Sequence, residues 1–143
     1  MSCKSYNSAV ITPVLAAGSS ASPYFFQVNI SQKLCSPSCV DQIPVFTPVF
    51  SLEGISSVGT GQYMATIKVE GVITYVPCGG TPCCSRSQVV SQVFTIPFAS
   101  ATAPTQTTIT AGTPVNAISA SPCQQCSRSF VCEVPLTLTV TTA

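Results

Sequence analysis

The chain has 143 residues, of which 45% are hydrophobic and only 6% are charged, and its formal net charge is +1. This length predicts one domain, and the near-neutral charge excludes a basic surface for nucleic acid or an anionic membrane. Low charge also removes the repulsion that keeps soluble proteins apart. Ser and Thr occupy 37 positions, so hydroxyl groups must supply most of the polar surface, and this composition favours self-assembly.

The first predicted elements are a short arm and an initial strand. Residues 1–8 precede any periodic pattern, and we predict that they form an N-terminal arm. The apolar stretch 9–18 is only weakly similar to a signal peptide, because Thr12 and Pro13 interrupt it. We interpret this stretch as the first strand of a single domain that covers 9–143. No run reaches the roughly 18 apolar residues that a membrane helix needs, so membrane insertion is not expected.

Apolar and polar residues then alternate with a period of two, which is typical of β-strands. The alternation is clear over 24–30, 63–75, 90–98 and 130–140, and Gly71 predicts a bulge or bend in the second of these. The 12 Pro and 8 Gly residues interrupt the chain too often for long helices. We therefore predict an all-β fold, a jelly-roll-like antiparallel β-sandwich of about seven to nine strands.

Three short segments hold most of the nine cysteines, and each separates two strand-like runs. The sequence therefore predicts three hairpin units with thiols at their tips, near 35–39, 78–84 and 123–126. The tetrapeptide Cys84-Ser-Arg-Ser87 returns as Cys126-Ser-Arg-Ser129. Either a duplicated unit or coincidence within a Ser/Thr/Val-rich chain explains this repeat.

Three interpretations of these cysteines stay open on the sequence alone. In the first, neighbours at one tip, such as Cys35 and Cys39, form a local disulfide that contributes about 2 kcal/mol. In the second, some bonds join subunits: nine cysteines cannot all pair within one chain, and Cys3 on the arm is best placed to reach a neighbour. The third is a structural zinc site. Its candidate ligands are Cys83, Cys84, Cys123 and Cys126.

The predicted cross-linking set contains every cysteine but one. Its members are Cys3, Cys35, Cys39, Cys78, Cys83, Cys84, Cys123 and Cys126. Cys132 instead falls on the apolar side of the last alternating segment, which is typical of a small buried side chain.

The residue types on which most enzymes depend are scarce. There is no histidine, the commonest general base and metal ligand. The four carboxylates are Asp41, Glu53, Glu70 and Glu133, and the last two fall on the polar side of strand patterns. No phosphate-binding loop or nucleophile motif is found. We predict a protein that is not an enzyme, with no catalytic or cofactor-binding residue, no cofactor and no small-molecule substrate.

The chain combines a short arm that carries Cys3 with low charge, many cysteines and a strand-rich pattern. In these features it resembles the subunits of bacterial endospore appendages and spore-surface fibres. The resemblance implies jelly-roll subunits whose N-terminal arm bonds to neighbouring subunits through cysteines, and which are made without a signal peptide. That family usually has a paired-cysteine connector in the arm, whereas this arm carries Cys3 alone.

These patterns lead to one functional prediction and two alternatives. We predict a structural subunit that assembles with copies of itself into a disulfide-stabilised filament or fibre. Strand addition or arm exchange would join the copies, either outside the cell or on the cell or spore surface. An adhesive or carbohydrate-binding β-sandwich module is the first alternative, and a viral or phage structural protein is the second.

Overall fold

The computed structural model describes residues 9–16, 22–39, 43–77, 85–118 and 126–142, and the regular structure in these ranges is all β-strand. The strands are β1 (Val10–Leu15), β2 (Tyr24–Cys39), β3 (Val45–Phe46), β4 (Val49–Gly59), β5 (Gln62–Tyr75), β6 (Arg86–Ala99), β7 (Pro104–Ala111), β8 (Val115–Ile118) and β9 (Cys126–Thr142). The first strand predicted within 9–18 is confirmed as β1. The predicted arm, 1–8, lies outside the described residues.

Two antiparallel sheets contain these strands. In sheet A the order is β1-β2-β9-β7, and β8 also pairs with β9. In sheet B, β5 pairs with β3, β4 and β6. The predicted all-β antiparallel sandwich is therefore confirmed, and the pairing of the early strand β2 with the final strand β9 is compatible with a jelly-roll-like arrangement.

The core forms where the apolar sides of the alternating strands meet. Its residues from β5 and β9 include Ala65, Ile67, Val69, Ile73, Tyr75, Phe130, Cys132, Val134, Leu136 and Leu138. Phe46 of sheet B meets Phe130 of sheet A edge-on, with ring centroids 6.2 Å apart. Tyr24 of sheet A lies 5.4 Å from Phe98 of sheet B, again between ring centroids. Aromatic contacts therefore join the two sheets at two separate places.

Sheet B has a break along one edge of β5, and Gly71 lies opposite it. The pairing passes from Phe46 of β3, opposite Ile73, to Val49 of β4, opposite Glu70. A Cβ at Gly71 would lie 2.5 Å from Phe46 Cε1 and 2.9 Å from the carbonyl oxygen of Thr47. The bulge predicted at Gly71 is not observed, because the β5–β6 register continues through it. The glycine instead allows the chain at the break to approach β5 closely.

Sheet A has a matching break between β7 and β8, and Pro135 of β9 lies opposite it. Proline inside a central strand normally removes a ladder hydrogen bond. Here the strand beside it is interrupted, and the Pro135 carbonyl accepts a hydrogen bond from the Gly112 amide at 2.8 Å. The break therefore makes a proline tolerable in the middle of sheet A.

The topology corrects the first of the three predicted hairpins. β2 belongs to sheet A and β4 to sheet B, so the chain after Cys39 crosses between sheets. The strand also includes positions 35–39 rather than ending before them. By contrast, β5 and β6, which flank 76–85 in the sequence, pair along their whole length. β8 and β9, which flank 119–125, also pair with each other.

Replacing Gly71 by Ala is expected to lower the free energy of unfolding by about 1–3 kcal/mol, because the methyl group would have to displace Phe46 or the Thr47 carbonyl. Gly54→Ala is the matched control, since nothing lies within 4 Å of a Cβ there. Removing a strand glycine without a clash stabilises by roughly 0.5–1 kcal/mol. Urea unfolding measures both variants, and equal stabilities would contradict the close approach at Gly71.

Candidate functional site

The strand directions bring the cysteine-bearing segments to one end of the sandwich, which we name the cysteine end. β2 reaches this end at Cys39. β1 runs antiparallel to β2, with Val10 opposite Ser31, so β1 begins on the side where β2 finishes. Cys3 precedes β1 in the sequence and lies outside the described residues.

Two further connections lie at the cysteine end. An isolated bridge pairs Ser38 of β2 with Pro77, the residue directly before Cys78, so the β5–β6 connection begins beside the end of β2. Cys39 is the register partner of Cys126, the first residue of β9. Ser38, which is fully buried, therefore lies where three chain segments meet.

The opposite end of the sandwich has a different character. Its connections are 16–23, 60–61 and 100–103, and none of them contains cysteine. There the Tyr24 hydroxyl donates a hydrogen bond to the carbonyl of Ala99, and burial raises the pKa of Tyr24. The strands that flank the cysteine-bearing connections therefore end on one side of the sandwich, and the other side is joined by aromatic and hydrogen-bonding contacts.

The structure brings only part of the predicted cross-linking set together. Cys39 and Cys126 are in register, whereas Cys35 lies in the irregular part of β2, where the register shifts between Lys33 and Ser38. The remaining members lie outside the described residues: Cys3, Cys78, Cys83, Cys84 and Cys123.

The zinc interpretation therefore has one described ligand candidate, Cys126. Within the described ranges, no group of three or more His, Cys, Asp or Glu residues is placed to hold a metal ion. The register partner of Cys126 is Cys39, which did not belong to the predicted zinc set.

Cys132 is a free thiol in the core, with no exposed surface. Burial, with a smaller effect of the neighbouring Glu133 carboxylate, raises the pKa of this thiol from 9.0 to about 11. A thiol is nucleophilic only when it is ionised, so Cys132 is inert near neutral pH. The predicted small buried side chain is confirmed. Because Cys132 is free, eight cysteines remain, and their even number no longer requires a bond to another chain.

A second feature is an apolar surface on the outer side of sheet B, which we name the valine face. Its five residues are each 47–78% exposed, and they are Val45, Val49, Val72, Val89 and Val93. Val72 of β5 lies opposite Val89 of β6, and Val49 of β4 flanks β5 on the other side. Val72 and Val89 are direct partners, whereas Val45, Val49 and Val93 lie opposite polar or charged residues of β5, so the exposed valines share one face and alternate there with polar side chains.

The sequence contains a signal for the valine face that the strand predictions did not use. Each of its valines is followed by a residue that faces the core, as in Val45-Phe46, Val72-Ile73 and Val93-Phe94. Successive side chains of a strand point to opposite faces. An apolar doublet therefore places one apolar side chain in the core and a second one on the outside.

The carboxylates are dispersed over the surface. Glu70 and Glu133 are exposed, as their strand patterns predicted, and Glu53 is exposed as well. Lys68 Nζ lies 3.4 Å from Glu70 Oε1 within the valine face. An exposed pair like this contributes about 0–1 kcal/mol to stability, so its main effect is to leave the face without net charge. Asp41 lies outside the described residues.

No protein-family model, curated protein or solved structure matches this chain. Among the described residues, no helix is long and apolar enough to cross a membrane.

The Cys132 thiol is expected to react with iodoacetamide about 100-fold more slowly in the native chain than in denaturing urea at mildly alkaline pH. A thiol with a pKa of about 11 is rarely ionised there. Its reactivity should rise only as the pH approaches that value. Mass spectrometry of the tryptic peptide 129–143, in which Cys132 is the sole cysteine, measures the rate. Equal rates in both states would contradict the burial of this thiol.

Proposed function

We propose that this chain is a structural subunit that assembles with copies of itself into a disulfide-stabilised filament. The observation that carries the proposal is the valine face, five exposed valines on adjacent strands of one sheet. Exposed apolar side chains gathered on one face favour association, because burying them against a partner removes apolar area from water.

A second copy of this chain fits the valine face better than a charged partner does. The only described charges within the face, Lys68 and Glu70, form an ion pair and neutralise each other. The whole chain carries a net charge of +1, so two copies repel each other very little. A face of this kind can pack against its own copy without burying an unpaired charge.

The cysteine end supplies the covalent part of the proposal. β1, which follows Cys3 in the sequence, begins on the side where β2 finishes, and the register partners Cys39 and Cys126 lie at that end. A bond from Cys3 to a neighbouring subunit would lock an assembly that the valine face first brings together. Disulfides of this kind persist outside the cell or on a cell or spore surface, which is where we place the filament.

Charges placed on the valine face are expected to raise the concentration at which the chain assembles by at least about tenfold. The test variant is Val49→Lys/Val89→Lys, because a buried unpaired ammonium opposes association. The matched control is Ser56→Lys/Thr95→Lys, which adds the same charge to exposed positions of the same sheet beyond the valines. Sedimentation velocity and electron microscopy measure assembly. A dispersed wild-type monomer, or equal assembly of both variants, would refute the proposal.

Covalent locking makes a separate prediction. Wild-type assemblies are expected to give ladders on non-reducing electrophoresis after boiling in detergent, and Cys3→Ser should remove them without preventing assembly itself. Cys35→Ser is the control, since it removes a thiol within β2 and leaves the arm unchanged. Ladders that persist without Cys3 would show that another cysteine forms the intersubunit bond.

A further inference from the structure

We propose that Cys39 and Cys126 form a disulfide within one chain, between the end of β2 and the start of β9. The bond lies inside a single subunit, so it goes beyond the proposed assembly and does not depend on it. It also differs from the pairings that the sequence suggested, which joined neighbours at one tip or joined separate chains.

The register of sheet A carries this inference. Cys39 of β2 and Cys126 of β9 are direct partners in an antiparallel ladder. Direct partners in such a ladder have Cα atoms about 4.5 or 5.5 Å apart, depending on whether they exchange hydrogen bonds. Disulfides bridge Cα atoms roughly 4.4–6.8 Å apart. Either kind of ladder position therefore satisfies the distance that the bond needs.

The neighbouring residues hold the two positions in place. Ser38 directly precedes Cys39, is fully buried, and pairs both with Ser127 of β9 and with Pro77. Two backbone pairings on one residue limit how far the end of β2 can move. Directly paired residues also share one face of a sheet, so closing the bond needs no change of register.

Cys35 is a weaker candidate for the partner of either cysteine. It lies between Lys33 and Ser38, where β2 contains more residues than the facing part of β9 and the register shifts. No residue of β9 is its ladder partner in this stretch. The ladder therefore favours the pair Cys39–Cys126 over a local Cys35–Cys39 bond.

The oxidation can proceed by exchange with a low-molecular-weight disulfide such as oxidised glutathione. The thiolate of one cysteine attacks that disulfide, forms a mixed disulfide and releases one thiolate. The thiolate of the second cysteine then attacks the protein sulfur of the mixed disulfide. This step forms the Cys39 Sγ–Cys126 Sγ bond and releases the second small thiolate. Two protons from the cysteines balance the two thiols released, and the small disulfide is the species that is reduced.

The bond would close a large part of the chain. All four strands of sheet B, together with β7 and β8, lie between Cys39 and Cys126 in the sequence. A covalent link across this segment would restrict the unfolded chain far more than a bond within one tip would. It would also hold together the two strands that begin and end at the cysteine end.

Peptide mapping tests the pairing directly, because trypsin places Cys39 and Cys126 in different peptides. It cuts after Lys4, Lys33, Lys68, Arg86 and Arg128. Cys39 then lies in the peptide 34–68 and Cys126 in the peptide 87–128. The full chain is oxidised with oxidised glutathione, its free thiols are blocked with N-ethylmaleimide, and the monomer band of a non-reducing gel is digested. We expect these two peptides to be joined, with fragmentation that places the link at Cys39 and Cys126.

Variants separate this bond from the other possibilities. Cys39→Ser and Cys126→Ser should each abolish the link between the two peptides and lower Tm by roughly 10 °C, and the double variant should lower it no further. Cys35→Ser, the matched control, should keep both the link and the Tm. The wild-type chain treated with a reducing agent should lose the same Tm increment as the variants.

Three results would overturn the inference. One is a link that survives in Cys39→Ser, which would show that Cys35 bonds to the third tip. Another is a 34–68 peptide with an internal disulfide, which would show the local Cys35–Cys39 bond. The last is one zinc ion per chain, measured by elemental analysis, together with thiols that become reactive only after chelation. The digested material is the monomer band, so each of these results can be measured whether or not the chain assembles.

Discussion

The architecture of sheet A depends on the pairing of its last strand. β9 pairs with β2 along one side and with β7 and β8 along the other, so it holds every strand of the sheet except β1 directly. Its inward residues also form much of the layer that packs on sheet B, where Phe130 meets Phe46. A shift of β9 by one residue would turn these side chains to the solvent. Beyond the register shift between Lys33 and Ser38, the same two strands pair again and place Cys126 opposite Cys39, so β9 contributes to both the core and the cysteine end.

The pairing of Cys39 with Cys126 explains how a protein with an adequate core can still use a disulfide. A chain of this length can bury enough surface to fold without them. In the chain-entropy model, a local bond such as Cys35–Cys39 contributes about 2 kcal/mol, whereas a bond that spans the segment from Cys39 to Cys126 contributes about 4–5 kcal/mol. The long-range bond therefore adds durability to a domain that is already folded, as a subunit of an exposed fibre would require.

Sequence patterns predicted the features that depend on residues close together in the chain. The alternation over 63–75 and 130–140 identified β5 and β9 and the burial of Cys132, because side-chain alternation is a local property. The sheet to which a strand belongs is not local, and so the crossing of the chain after Cys39 was missed. The role of Gly71 was missed for the same reason, since its neighbour Phe46 comes from another strand. The valine face could have been predicted from the sequence, because each of its valines is the first residue of an apolar doublet.

The edges of the sheets oppose the addition of strands from another copy of the chain. Edge strands β1 and β6 contain Pro13 and Pro97, and edge strand β7 begins at Pro104. The fourth edge, β4, has register shifts near Gly54 and Gly59. Prolines and bulges are devices that prevent edge-to-edge pairing, because they remove donors and distort the row of backbone groups. The valine face has no such protection beyond one neutral ion pair. Of the two modes expected from the sequence, strand addition and arm exchange, strand addition is the one that these edges oppose. Our proposal therefore assigns association to the valine face.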